Sequence, residues 1–205
     1  MSMGPWRVVQ TLLVMMFAVA GAVEVELDFG ADSDDALPSA VIKGVEEAYQ
    51  ANERGLQALR TGELEQAMAH FEEALAAYPG YTDAENNIGV VYFRRGTTSE
   101  ARRIWKSLTQ RESRYAIAWY NLGVLAFHER AYDRAMEHLQ EAVKANRNFY
   151  EAHLMMGRVR MQQGRAEQAI EYFQKAYRIN DEDDDGWSHL AFSYIQAGDT
   201  ADALE

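Results

Sequence analysis

Six consecutive residues near the end of the chain, Asp181-Glu182-Asp183-Asp184-Asp185-Gly186, set carboxylates at alternate positions ahead of a glycine. This is how a calcium loop opens, with oxygen ligands converging on a hard cation and glycine making the sharp turn. The loop also needs a closing bidentate glutamate, and its place falls on Phe192. The acidic run therefore reads as a solvated turn whose charge favours the N-terminus of the helix after it, with a calcium-responsive module as the alternative. The five histidines, His70, His128, His138, His153 and His189, form no H-E-x-x-H pair. His70 and His138 recur at equivalent places and read as packing or surface residues. No Gly-rich phosphate loop appears, and cysteine is absent, which removes thiol nucleophiles, disulfides and Cys-ligated metals. No nucleophile with its base, carboxylate pair or ligand set emerges, so no enzyme activity, cofactor or metal is expected.

Charge narrows the partners. Lys plus Arg number 20 against 32 Asp plus Glu, a formal charge of −12. A nucleic-acid binder needs a basic footprint to displace counterions, whereas the cations here stand singly or in pairs such as Arg94-Arg95 and Arg102-Arg103. The expected partner is a protein or peptide segment. With 48% hydrophobic and 25% charged residues, the chain has the material for a folded core.

The elements that must position any site come next. Residues 1–22 read as a secretory signal peptide: Arg7, the apolar run Val8 to Ala20, then small residues in the frames Ala18-Val19-Ala20 and Ala20-Gly21-Ala22. The alternative is a membrane anchor over residues 8–22, although the run is shorter than the roughly 20 residues a span requires. The location expected is exported, in the periplasm. Residues 23–39 form an acidic extended linker, in which VEVELDF (Val23 to Phe29) alternates like a strand and could add to a partner's sheet edge. From Ser39, a helix N-cap by type, apolar residues recur at three and four through residues 40–205.

Three series fix the organisation of that region. Gly55, Gly89, Gly123, Gly157 and Ala191 stand 34 residues apart. Ala67, Ala101, Ala135, Ala169 and Ala203 share the step, as do Ala74, Leu108, Ala142 and Ala176. A small residue on a first helix accepts bulk from a facing second helix, and Gly62, Gly96, Gly164 and Gly198 mark the turns between them. Arg130 holds that turn place in the third unit, where a strained turn is expected.

The residues Trp119-Tyr120-Asn121-Leu122-Gly123 with Ala135, Leu139 and Ala142 resemble the signature of the tetratricopeptide repeat. So do Asn87-Ile88-Gly89, Tyr92, Ala101 and Trp105; Gly157, Ala169, Phe173 and Ala176; and Phe71, Ala74 and Pro79. The resemblance implies an all-α, right-handed superhelical solenoid of antiparallel helix pairs, about five units over 48–81, 82–115, 116–149, 150–183 and an incomplete 184–205. The last unit ends a few residues into its second helix, so either the sequence is cut short or a partner completes the stack.

The resemblance also implies that first helices line a concave groove. Asn86, Val90, Phe93, Tyr120, Val124, Phe127, Leu154, Arg158 and Met161 are the residues expected there, flanked by Asn52 and Leu56 at one end and Ser188, Phe192 and Ile195 at the other. The strip is apolar and aromatic, suited to a helix or an extended segment with hydrophobic anchors. Family members that grip acidic C-terminal peptides carry a cationic clamp; here the corresponding places hold Asn52, Asn86, Asn87, Ile117, Asn121, Glu151 and Met155. The function expected is a binding module for a partner segment, serving assembly of a cell-envelope complex. The alternative is a homo-oligomeric scaffold built by end-to-end stacking.

Overall fold

The computed structural model describes residues 39–181 and 184–198. Two units divide the chain, Met1–Ser39 and Ala40–Glu205, and every described residue except Ser39 belongs to the second. The signal peptide, the linker up to residue 38 and its strand, Ala203 and part of the acidic run lie outside the described residues.

Nine helices and no strand occur among the described residues: α1 (Ser39–Thr61), α2 (Leu64–Ala77), α3 (Thr82–Arg94), α4 (Thr98–Arg111), α5 (Ala116–His128), α6 (Tyr132–Ala145), α7 (Tyr150–Gln162), α8 (Ala166–Ile179) and α9 (Asp184–Ala197). They stack as an all-α solenoid of helix pairs, each second helix also packing on the first helix of the next pair. The first helices α3, α5 and α7 have 13 residues and the second helices α2, α4, α6 and α8 have 14. Helix α1 differs, running 23 residues, and Ser39 lies within it instead of capping it. Its extra turns pass close to the end of α2: a Cβ on Gly44 would come within 2.9 Å of the Ala77 carbonyl oxygen.

The glycine series does what its spacing requires. A Cβ at Gly55 would stand 2.4 Å from the Phe71 ring, at Gly89 2.5 Å from Trp105 Nε1, at Gly123 2.7 Å from Leu139 Cγ and at Gly157 2.5 Å from the Phe173 ring. Each partner is on the second helix of the same pair and is buried. Ala67, Ala101, Ala135 and Ala169 are fully buried, as are Ala74, Leu108, Ala142 and Ala176. Close packing at one small residue per pair thus lets a large apolar side chain cover backbone, where dispersion contacts are densest.

Turns within pairs share one geometry. The Thr97 N–H donates to the Tyr92 carbonyl and the Gly96 N–H to the Phe93 carbonyl, both at 3.0 Å. Together these two bonds satisfy carbonyls left open at the end of α3 and require a left-handed residue at position 96. The third pair repeats the pattern, with Ala131 N–H on the Ala126 carbonyl and Arg130 N–H on the Phe127 carbonyl. Arg130 accordingly holds φ at +57°, the one non-glycine positive φ among the described residues. The expected strain is there.

An aromatic series escaped the sequence reading although it has the same step. Tyr81, Tyr115 and Phe149 each precede a first helix and are partly buried between pairs. The Tyr115 hydroxyl donates to Asp83 Oδ1 at 2.6 Å, and the Phe149 ring lies 5.2 Å from that of Tyr120.

Two substitutions test this account by thermal or urea unfolding followed by circular dichroism. Gly89→Ala drives a methyl into the Trp105 indole and should destabilise by about 1–3 kcal/mol. Arg130→Gly relieves the left-handed residue and should stabilise by about 0.5–1 kcal/mol, the strain released less the added freedom of the unfolded chain.

Candidate partner-binding groove

The inner side of the stack is identified by which helices approach their own kind. Among the described residues α3 meets α5 and α5 meets α7, and no pair of second helices comes comparably near. On a curved stack the elements at smaller radius lie closest together, so the first helices line the inside.

At the N-terminal half of this face a chain of amides joins three repeats. Asn121 Nδ2 donates to Asn86 Oδ1 at 2.8 Å, Asn86 Nδ2 to Asn87 Oδ1 at 3.4 Å, and Asn87 Nδ2 to Asn52 Oδ1 at 2.9 Å. Asn86 is only 4% exposed, and its carbonyl also accepts from Trp105 Nε1 at 3.2 Å. Both functions of its amide therefore serve the junction between α1, α3 and α5. A buried amide needs such partners, since leaving them unmade costs more than making them gains. The asparagines that match clamp positions by sequence are here committed to one another.

Towards the C-terminal half the same places become Leu154 and Met155, and the face turns apolar. Val90, Phe93, Tyr120, Val124, Phe127, Leu154 and Met161 are all half-buried, presenting one side outward while the other packs between helices. Phe93 stands 6.1 Å from Trp105 and 5.2 Å from His128; Phe127 stands 5.9 Å from Tyr132. Tyr120 packs on Phe149, and burial raises its phenol above the ordinary value, Glu151 adding to the shift and Arg158 opposing it. Arg158 is exposed with its guanidinium carbon 5.9 Å from the Phe127 ring centre.

On α9, Phe192 and Ile195 are 54% and 53% exposed, which is rare for side chains of that size in a packed stack. Between α7 and α9 lies a cavity of about 270 Å³. It is lined by Phe127, Arg158, Met161, Gln162, His189, Phe192 and the fully buried Phe173. The sequence placed Phe127, Arg158, Met161 and Phe192 on the inner face, but Phe173 was legible only as core and His189 carried no signal for the cavity. Among the described residues no group of three or more His, Asp or Glu side chains could hold a metal, and the side chains of residues 182–187 lie outside them.

A tetratricopeptide repeat model matches residues 52–105, 88–150, 132–186 and 154–205. The chain belongs to the tetratricopeptide repeat family. Solved structures agree on the fold. A PilF protein of Pseudomonas aeruginosa is 24% identical, with 79% of this chain and 74% of that one covered and a TM-score of 0.71. A thermophilic tetratricopeptide repeat protein of Thermus thermophilus is 24% identical over 77% of this chain and 86% of that one, TM-score 0.65. A MamA protein is 22% identical over 78% and 87%, TM-score 0.59. No curated protein matches the chain. The family is one of protein-interaction scaffolds, and a tetratricopeptide stack of this kind is generally non-catalytic. No described helix is long and apolar enough to cross a membrane.

Two measurements probe the groove's supports. In a double-mutant cycle, Asn86→Ala and Asn121→Ala should couple by about 0.5–1.5 kcal/mol, the worth of one buried amide bond. At alkaline pH the phenols between repeats should cost stability. Burial, then Asp83 and Glu53, push Tyr81 up to about 12, and burial with Asp83 pushes Tyr115 higher still. Unfolded phenols ionise near 10.0, so the fold keeps this contribution below pH 10 and loses it as pH rises towards 12. Tyr115→Phe removes one titrating group and should move the alkaline unfolding midpoint upward, read by circular dichroism against pH.

Proposed function

We propose that the inner face of the first helices captures a segment of another protein, with its grip concentrated at the apolar C-terminal half. The observation that carries this reading is the pair Phe192 and Ile195, which leave large apolar surfaces in water beside a cavity walled by Phe127 and Met161. Exposed apolar side chains clustered next to a concavity are the usual anchor of an interface. The groove residues Val90, Phe93, Tyr120, Val124, Leu154 and Arg158 extend the contact towards α3, and Asn86 holds the scaffold beneath it. Catalysis has no part in this reading, and the charge of −12 sets the surface against nucleic acid. The partner belongs to an assembly in the cell envelope, a placement supported by the export-type residues 1–22.

A second reading has its own support. Phe192 and Ile195 lie on the last described helix, so the same patch could seat another copy of the chain end to end. Light scattering over a dilution series separates the two: a persistent monomer removes the scaffold, and a concentration-dependent oligomer abolished by substitutions at the patch would favour it.

Tyr120 and Phe127 are poor choices for testing capture, because their ring contacts with Phe149 and Tyr132 tie them to stability. Phe192→Ser with Ile195→Ser avoids this. The variant should melt within a few degrees of the parent, while crosslinking and mass spectrometry in the native compartment recover the parent's partners at about one tenth the yield or less. Unchanged partner recovery would place the grip elsewhere.

A further inference from the structure

We infer that the cavity between α7 and α9 is a socket for a partner segment carrying a bulky apolar side chain beside a single carboxylate, the apolar group entering between Phe127 and Phe192 and the carboxylate meeting Arg158. This rests on the groove reading above and adds the chemistry of what the groove selects.

Size sets the first limit. A cavity of about 270 Å³ falls at the bottom of the roughly 300–1,000 Å³ range of sites for whole small ligands. It suits one large side chain with room at the edge. Phe173, Phe127, Met161 and Phe192 make the lining largely apolar and polarisable, as an aromatic or long aliphatic side chain requires.

Charge sets the second. The excess of acids supplies carboxylates to Arg54 (Glu73), Arg95 (Glu65), Arg102 (Glu129) and Arg111 (Glu85). Arg94 instead donates to the Leu59 carbonyl at 2.6 Å. Arg158 forms no ion pair among the described residues, and its guanidinium carbon lies 5.9 Å from the centre of the Phe127 ring. A guanidinium resting on a ring uses its face, leaving the N–H edge that matches a carboxylate in bidentate fashion. In a chain of net charge −12, an arginine left open at the mouth of an apolar cavity is complementary to an anionic group brought in from outside.

A third feature limits the number of charges. Glu151 lies two turns before Arg158 on the same helix, and both act on the Tyr120 phenol in opposite senses. An acidic run would meet Glu151 as well as Arg158. One carboxylate satisfies Arg158 without that repulsion.

The test selects peptides from a random phage-displayed library on the full chain and on Arg158→Glu, after circular dichroism shows both folded with matching melting curves. The expected consensus on the parent is Phe, Trp, Leu or Met with one Asp or Glu close by; on Arg158→Glu the acid should give way to Lys or Arg. A synthetic peptide of the parent consensus should lose about tenfold or more in affinity when its acid becomes the amide, and by the same factor on Arg158→Glu. Arg158→Lys should retain part of the binding, since the charge remains and the fork is lost. An apolar consensus without an acid, or an acid whose selection ignores Arg158→Glu, would overturn the socket while leaving the groove intact. A folded chain that selects no peptide at all would overturn both.

Discussion

Close approach of two antiparallel helices at one residue per pair is the constraint on which everything else depends. Gly55, Gly89, Gly123 and Gly157 each lie where a Cβ would penetrate a side chain of the facing helix. With the backbone bare at that point, Phe71, Trp105, Leu139 or Phe173 can lie flat on it and be wholly or almost wholly buried. The pair then presents a constant shape to its neighbours, and stacking repeats that shape. A solenoid has only nearest-neighbour contacts, so any error in the unit would be propagated along the stack.

Within that frame the junctions between repeats are not uniform. Repeats one to three are joined on their inner side by the amide chain from Asn52 to Asn121, while within repeat two hydroxyl–carboxylate bonds run from Tyr115 to Asp83 and from Thr82 to Glu112. Directional bonds of this kind fix spacing and leave little surface for a guest. Beyond α5 the equivalent positions are Leu154 and Met155, and the amide chain gives way to apolar contact on that face, although Gln163 to Asp133 and Gln174 to Tyr194 still bridge the later repeats. The inner face is thus polar and self-satisfied at one end and apolar at the other. Phe192, Ile195 and the cavity beside them lie at that end.

Arg158 illustrates how an acidic chain produces a selective cation. Several of its arginines are drawn into pairs with carboxylates or onto a helix carbonyl, and Arg95 to Glu65 and Arg94 to the Leu59 carbonyl fasten one repeat to the next. Arg158 differs in its setting, with Phe127 5.9 Å away and an apolar cavity beside it.

Much of the fold was legible before any coordinates. The 34-residue step, the small residue on each first helix, the left-handed turn residue and the strain at Arg130 follow from spacing and residue type, because contacts within a repeat are set by local register. The series Tyr81, Tyr115 and Phe149 was equally available and was overlooked, since it sits between repeats and belongs to no helix face. Family resemblance and repeat phase named candidates for the inner face, but not the contacts those residues make. That Asn86 is consumed by its neighbours, that Tyr120 and Phe127 hold the stack as well as face the groove, and that Arg158 meets a ring and no acid were decided by tertiary structure. These depend on how successive pairs are rotated against each other and on which rotamers survive that packing, and neither is encoded in a single repeat.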